Sequence, residues 1–233
     1  MAPFGVIFDA DGVLFDSERQ SLEALRLAVE QVSHGKVAFS PDLLGFLCGR
    51  DDGSIIELLN KSHGLAVNTA QFRQFKLECY RRVVAGDPIA VAPGALDLVN
   101  SLAAASIPYA IATAAIRAKL DLSLATLDLS HRFPVITSVD DVSAGKPDPE
   151  IFLLTAKRLS LSPSRIIVFE DSINGIAAAN RAGMFSVGVV GTFSRETLSQ
   201  ARQVIVSLRQ VTVPLLHQWI NGQTNPTQEI GAT

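Results

Sequence analysis

Phe8-Asp9-Ala10-Asp11-Gly12-Val13 sets two carboxylates two residues apart, directly after the apolar run Val6-Ile7-Phe8. Carboxylates that close repel, so both stay ionised in a partly buried place only beside a cation, or with one of them holding a proton. Either condition suits phosphoryl transfer, in which one acid attacks and the other moves a proton. By itself the tetrapeptide is as often a turn with solvated acids. A second acidic pair, Glu170-Asp171 before Ser172, follows another β-branched and aromatic run, Ile166-Ile167-Val168-Phe169. One acid at a helix start is explained by the helix dipole. Four acids after two such runs point instead to a hard-cation site, with Asp9, Asp11, Glu170 and Asp171 as its candidates. Two carboxylates and a backbone carbonyl suffice for magnesium, which keeps several waters. Zinc lacks nearby His or Cys, and His34, His63, His131 and His217 are scattered without paired spacing, so no Ser-His-Asp arrangement arises either.

Two further segments could hold an anion. Thr113 ends the run Ile111-Ala112, and its hydroxyl with the N–H groups that follow, Ala114 first, can hold a phosphoryl oxygen. Lys146 stands in Gly145-Lys146-Pro147-Asp148-Pro149, with Asp148 expected as N-cap and Pro149 as the first helical residue. An ammonium group so placed can neutralise a transferring phosphoryl group.

These residues need a scaffold. Val6–Phe8, Tyr109–Ala112, Val135-Ile136, Ile166–Phe169 and Val187–Val190 are short runs of the kind buried in parallel sheets, and helical patterns separate them. The expected fold is α/β with a doubly wound, Rossmann-like parallel sheet, whose ligands bind beyond the carboxyl ends of the strands. Residues 17–91 break the rhythm: Leu22, Leu25, Val29 and Val32, then Ile55 to Leu59, then Phe72 to Val84, recur at helical spacing. This is the pattern of an inserted all-helical domain, leaving residues 1–16 and 92–221 as the α/β core. The polar residues 222–233 have no periodicity and are expected to fray.

The bulk numbers narrow the partners. A net charge of -3 with no Lys/Arg cluster argues against a nucleic-acid surface, so an anionic substrate must be captured locally. No apolar stretch approaches the roughly eighteen residues that a membrane span needs. Asp9 and Asp11 interrupt the apolar start, which argues against a secretory leader, and Cys48 and Cys79 lack metal-ligand spacing, so a reducing cytoplasm is the expectation. A monomer is the default.

Taken in order, Asp9-Ala10-Asp11-Gly12-Val13, Thr113, Gly145-Lys146-Pro147-Asp148 and Glu170-Asp171-Ser172 with Asn174-Gly175 resemble the four motifs of the haloacid dehalogenase superfamily. The helical insertion resembles the C1 cap of its β-phosphoglucomutase-like subfamily. The resemblance implies a magnesium-dependent phosphatase acting on a small phosphorylated metabolite such as a sugar or polyol phosphate. It implies Asp9 as nucleophile, Asp11 as acid/base, Thr113 and Lys146 as phosphoryl ligands, and Glu170 with Asp171 at the metal, to which Asp11 adds its carbonyl. The mutases of the subfamily carry a histidine where this chain has Ser21, and a lysine and an arginine flank a glycine in their cap loop, where this chain has Cys48-Gly49-Arg50. Ser21 and Arg50 are therefore candidate substrate ligands, and a sugar-phosphate mutase is the second enzymatic reading. Asp11 counts against carbon–halogen chemistry, whose leaving halide needs no proton, and no lysine near Gly49 could form a phosphonatase Schiff base. A non-catalytic module that binds phosphorylated ligands is the alternative outside enzymes.

Overall fold

Val6, Ile7 and Phe8 expose no surface, as a strand flanked by parallel neighbours and covered on both faces requires. The computed structural model describes residues 3–37, 40, 43, 47 and 52–222. Its elements begin with β1 (Gly5–Phe8), β2 (Phe15–Asp16), α1 (Glu18–Ser33), α2 (Asp52–His63), α3 (Thr69–Gly86), β3 (Ala90–Val91), α4 (Ala95–Ala104) and β4 (Tyr109–Ala112). There follow α5 (Arg117–Thr126), β5 (Ile136–Thr137), α6 (Glu150–Arg158), β6 (Ile166–Glu170), α7 (Ile173–Arg181), β7 (Phe185–Val189), β8 (Gln203–Ile205) and α8 (Val213–Ile220). They fall into two compact units, Met1–Phe15 with Val91–Arg117 and Ser130–Thr233, and Asp16–Ala90 with Ala118–Leu129.

The first unit is a parallel sheet in the order β5-β4-β1-β6-β7-β8. Ile7, Ala110, Ala112, Ile166 and Val168 form one face and pack on Ile151, Phe152 and Ala156 of α6 and Ala178 and Ala179 of α7. On the other face the rings of Phe8 and Phe169 stack at 5.4 Å, and Trp219 of α8 stacks on Phe185 at 5.9 Å. Each such fully buried phenylalanine contributes on the order of 2 kcal/mol of apolar burial. Helices thus cover both faces, and the sheet is the doubly wound, Rossmann-like one expected. Because β1 lies between β4 and β6, residues 9, 113 and 171 all leave the sheet at the same end.

The sequence reading differs from the structure at the margins. β8 was not anticipated: three residues that include Gln203 are too few to show a period, and an edge strand needs no continuous apolar run. β5 begins one residue later than expected, and β7 covers Phe185–Val189 rather than Val187–Val190. Pro149 takes the cap position of α6, while Asp148 accepts from the Glu150 N–H at 2.9 Å, a shift of one residue. Among the described residues no helix is long and apolar enough to cross a membrane. Residues 223–233, expected to fray, lie outside the described residues.

The second unit is helical. Ala24, Leu25, Ala28, Val29 and Val32 form the buried stripe of α1, which packs chiefly against α3. Asn68 caps α3 by accepting from the Gln71 N–H at 2.8 Å, and Asp52 at the start of α2 pairs with Lys76 of α3 at 2.6 Å. Arg19 and Gln20 both bond Asp87, which ties the first turn of α1 to the chain leaving α3. The structure groups residues 118–129 with this helical unit. Between them, the buried hydroxyl of Tyr80 of α3 meets Ser123 Oγ of α5 at 2.9 Å, and Lys119 Nζ lies 5.1 Å from its ring centre. Ser123 also donates to the Lys119 carbonyl at 3.0 Å, so the tyrosine hydroxyl supplies its remaining partner. Tyr80→Phe is expected to cost about 1 kcal/mol, the worth of one buried hydrogen bond, read as a lower urea midpoint at unchanged m-value.

Candidate active site

Asp9 is the first residue beyond β1, and its N–H donates to the Phe169 carbonyl of β6 at 2.9 Å. The chain then turns sharply: Gly12 N–H reaches the Phe15 carbonyl and Leu14 N–H the Ala10 carbonyl, each at 2.9 Å. Gly12 has φ +79°, and a Cβ there would lie 2.0 Å from Asp171 Oδ2. Glycine therefore lets the first turn close directly onto the carboxylate of Asp171, which leaves the end of the neighbouring strand. Asp9 is buried and Asp11 half-buried.

Lys146 joins the two acidic pairs. Its Nζ donates to Asp9 Oδ1 at 2.6 Å, to Glu170 Oε1 at 2.6 Å and to the Ala112 carbonyl at 3.0 Å, and it stands 4.9 Å from the Phe152 ring centre. The loop that carries it is held from outside: Glu150 Oε2 accepts from the N–H groups of Ser143 and Ala144, and Arg181 donates to the Pro147 carbonyl. Glu170 is 1% exposed and offers its second oxygen to the N–H and hydroxyl of Ser172, at 2.9 and 2.8 Å. Ser172 in turn caps α7 by accepting from the Gly175 N–H. A Cβ at Gly175 would lie 1.8 Å from the Glu170 carboxyl carbon, so this glycine makes the room that Glu170 occupies. Asp171 Oδ2 accepts from the Thr192 hydroxyl at 2.9 Å.

Thr113 is buried at the end of β4, with its N–H on the Thr137 carbonyl and its Oγ accepting from the Ala115 N–H at 3.1 Å, while Ala114 is exposed. The structure thus brings Asp9, Lys146, Glu170 and Asp171 together and puts Thr113 at the same sheet end. Ser21 belongs to the helical unit, in the first turn of α1; its hydroxyl is buried and has no hydrogen-bond partner among the described residues. Arg50 and Cys48 lie outside the described residues. Sequence reasoning missed Thr192, a loop threonine without a motif around it, and the clearance role of Gly175, for which the small residue after Asn174 was the available signal.

Charge dominates this place. Three acids, Asp9, Glu170 and Asp171, face one ammonium group. Burial works against the charge on Lys146, but Asp9 and Glu170 outweigh it and hold the group above the ordinary lysine range. Burial pushes Asp9 well up; Lys146 opposes the rise, and Glu170 and Asp171 add to it. Burial and then Glu170 push Asp171 up to about 7, against the hydrogen bond from Thr192. Such an excess of oxygen donors with negative charge fits a hard divalent cation. Among the described residues no three His, Cys, Asp or Glu side chains form a group that could hold a metal ion by themselves, and an ion such as magnesium completes its shell with water and backbone oxygen.

The chain matches the model of the haloacid dehalogenase-like hydrolases over residues 6–189 and belongs to that family. It is 32% identical to validoxylamine A 7'-phosphate phosphatase of Streptomyces hygroscopicus over 89% of this chain and 95% of that one. To the phosphorylated carbohydrates phosphatase of Thermotoga maritima it is 34% identical over 79% and 84%. The crystal structure of β-phosphoglucomutase from Clostridium difficile superposes with a TM-score of 0.77 at 26% identity, covering 95% of this chain and 99% of that one. Within the family its place is therefore in the β-phosphoglucomutase-like subfamily.

The raised acids give a pH signature. Without metal, the folded protein keeps the Asp171 proton up to about pH 7, whereas an unfolded chain releases it near pH 4. Folding takes up a proton between those limits, so stability is fullest below about pH 4 for this group and is lost as pH rises through about 7. In EDTA the urea midpoint is expected to fall from pH 5 to pH 7.5, reflecting a loss of unfolding free energy of at most about 1.4 kcal/mol per pH unit from this one group up to about pH 7, and Asp171→Asn to flatten the slope. A midpoint that rises over this range overturns the assignment.

Proposed function

We propose that the chain is a magnesium-dependent phosphomonoester hydrolase that acts on a small phosphorylated metabolite, a sugar or polyol phosphate, through a phosphorylated Asp9. The observation that carries this is the buried Asp9 carboxylate beyond β1, bonded to Lys146 Nζ at 2.6 Å. Its support in the comparisons is the phosphatases of phosphorylated sugars among the relatives.

In this reading Asp9 attacks phosphorus in line while Asp11 protonates the departing alkoxide. Asp11 then takes a proton from water, which cleaves the aspartyl-phosphate and restores Asp9. Lys146 and the Thr113 hydroxyl, with the N–H of Ala114, steady the equatorial oxygens. Asp9, Asp171 and the carbonyl of Asp11 would hold magnesium, which when bound supplies positive charge against that gathering on the phosphoryl oxygens. Glu170, which the resemblance puts at the metal with Asp171, has its oxygens on Lys146 and Ser172, and in this reading it also serves the site by fixing the lysine. Ser21 and Arg50 of the inserted segment are the proposed contacts to the rest of the substrate.

The direct measurement is phosphate release from an aryl phosphate with and without magnesium. The native chain is expected to turn over only with the ion, and Asp9→Asn to lose at least about a thousandfold, as loss of a covalent nucleophile does. Equal, negligible rates in both would favour a phospholigand-binding module. With β-glucose 1-phosphate and a bisphosphate primer, free phosphate is the expected product; accumulation of glucose 6-phosphate would make the chain a mutase.

A further inference from the structure

We propose that Thr192 is a positioning residue for the cation site, its hydroxyl setting the orientation in which Asp171 meets the ion. This rests on the reading of Asp171 as a magnesium ligand.

The contact follows from the sheet. β6 and β7 are neighbours with Glu170 opposite Gly188, so the segments beyond them run side by side. The Val190 N–H donates to the Ile205 carbonyl at 2.9 Å, which anchors the chain just before it turns away from β8. Two residues later Thr192 Oγ1 donates to Asp171 Oδ2 at 2.9 Å. The same oxygen is bounded from another direction by the first turn, where a Cβ on Gly12 would approach to 2.0 Å. A hydroxyl from one loop and the backbone of another thus converge on one carboxylate oxygen, and together they restrict rotation of the carboxylate. A ligand already turned to its ion loses less freedom on binding, and outer partners of this kind commonly change metal affinity by about 10- to 100-fold. Thr192 is exposed, so valine in its place, equal in shape but without a donor, removes the hydrogen bond and leaves the core alone.

The test is calorimetric titration of the metal-free protein with magnesium chloride, without substrate, for the native chain, Thr192→Val, Thr192→Ala and Thr192→Ser. Melting in EDTA accompanies each titration as a check on folding. The expected result is a dissociation constant raised about tenfold or more in the valine and alanine variants. The serine variant, which keeps the hydroxyl, should stay within roughly twofold of native. Native-like binding by the valine or alanine variant overturns the role of Thr192 and leaves the magnesium reading standing. Weakened binding in the serine variant equal to that of valine also overturns it, since the donor is then not what matters. A native chain that binds no magnesium removes both the metal reading and this inference.

Discussion

Lys146 is a buried cation with more negative charge around it than it can neutralise, and the arrangement of the catalytic end of the sheet follows from that imbalance. Its ammonium group has three protons, and three acceptors take them: Asp9, Glu170 and the Ala112 carbonyl. These belong to the ends of β1, β6 and β4, so one side chain ties three adjacent strands together at the point where each stops. A buried pair is costly unless every charge is matched and bonded. Glu170 meets that condition, with one oxygen on Lys146 and the other on Ser172. Asp9 shares that lysine with Glu170, and Asp171 has the neutral hydroxyl of Thr192 on its Oδ2, so one ammonium group serves three buried acids.

Close approach of backbone to carboxylate makes the imbalance possible. Gly12 and Gly175 stand where any side chain would collide with Asp171 and Glu170 respectively. The two glycines act differently. Gly12 combines a left-handed turn with contact, so replacement there would meet both strain and collision. Gly175 has ordinary helical geometry and is needed for space alone, because the first turn of α7 passes over the carboxylate that Ser172 also binds. Acids that would otherwise move apart into solvent are in this way kept close and dry.

Much of this was legible in the sequence. Strands β1, β4 and β6 announce themselves as β-branched and aromatic runs, and each is followed at once by a residue of the site, so fold and chemistry could be read together from Asp9, Thr113 and Glu170-Asp171. What stayed hidden depends on distant pairing. Glu170 carries the same charge as Asp171 in the sequence, and only the structure shows its oxygens on Lys146 and Ser172 while Asp171 meets Thr192. The hydrogen bond between Tyr80 and Ser123 joins residues far apart in the chain, and no periodicity reveals it. β8 is too short and too polar to show a pattern, and Thr192 is a loop threonine until β6 and β7 are set side by side.

The choice of lysine over arginine at this centre has a physical logic. A guanidinium presents a fixed planar fork and suits a bidentate partner, whereas an ammonium is a compact charge whose three donors can be reassigned without moving it far. With all three protons of Lys146 engaged, a phosphoryl oxygen can gain one only in exchange. The proposed reaction supplies that exchange: as Asp9 bonds to phosphorus its negative charge passes to the phosphoryl oxygens, and the proton it had accepted can follow the charge. The contact to Glu170 need not change, so the lysine keeps its anchor while its active proton switches partner. Burial then works in favour of the step, because in a dry site the moving charge is felt most strongly by the cation that faces it.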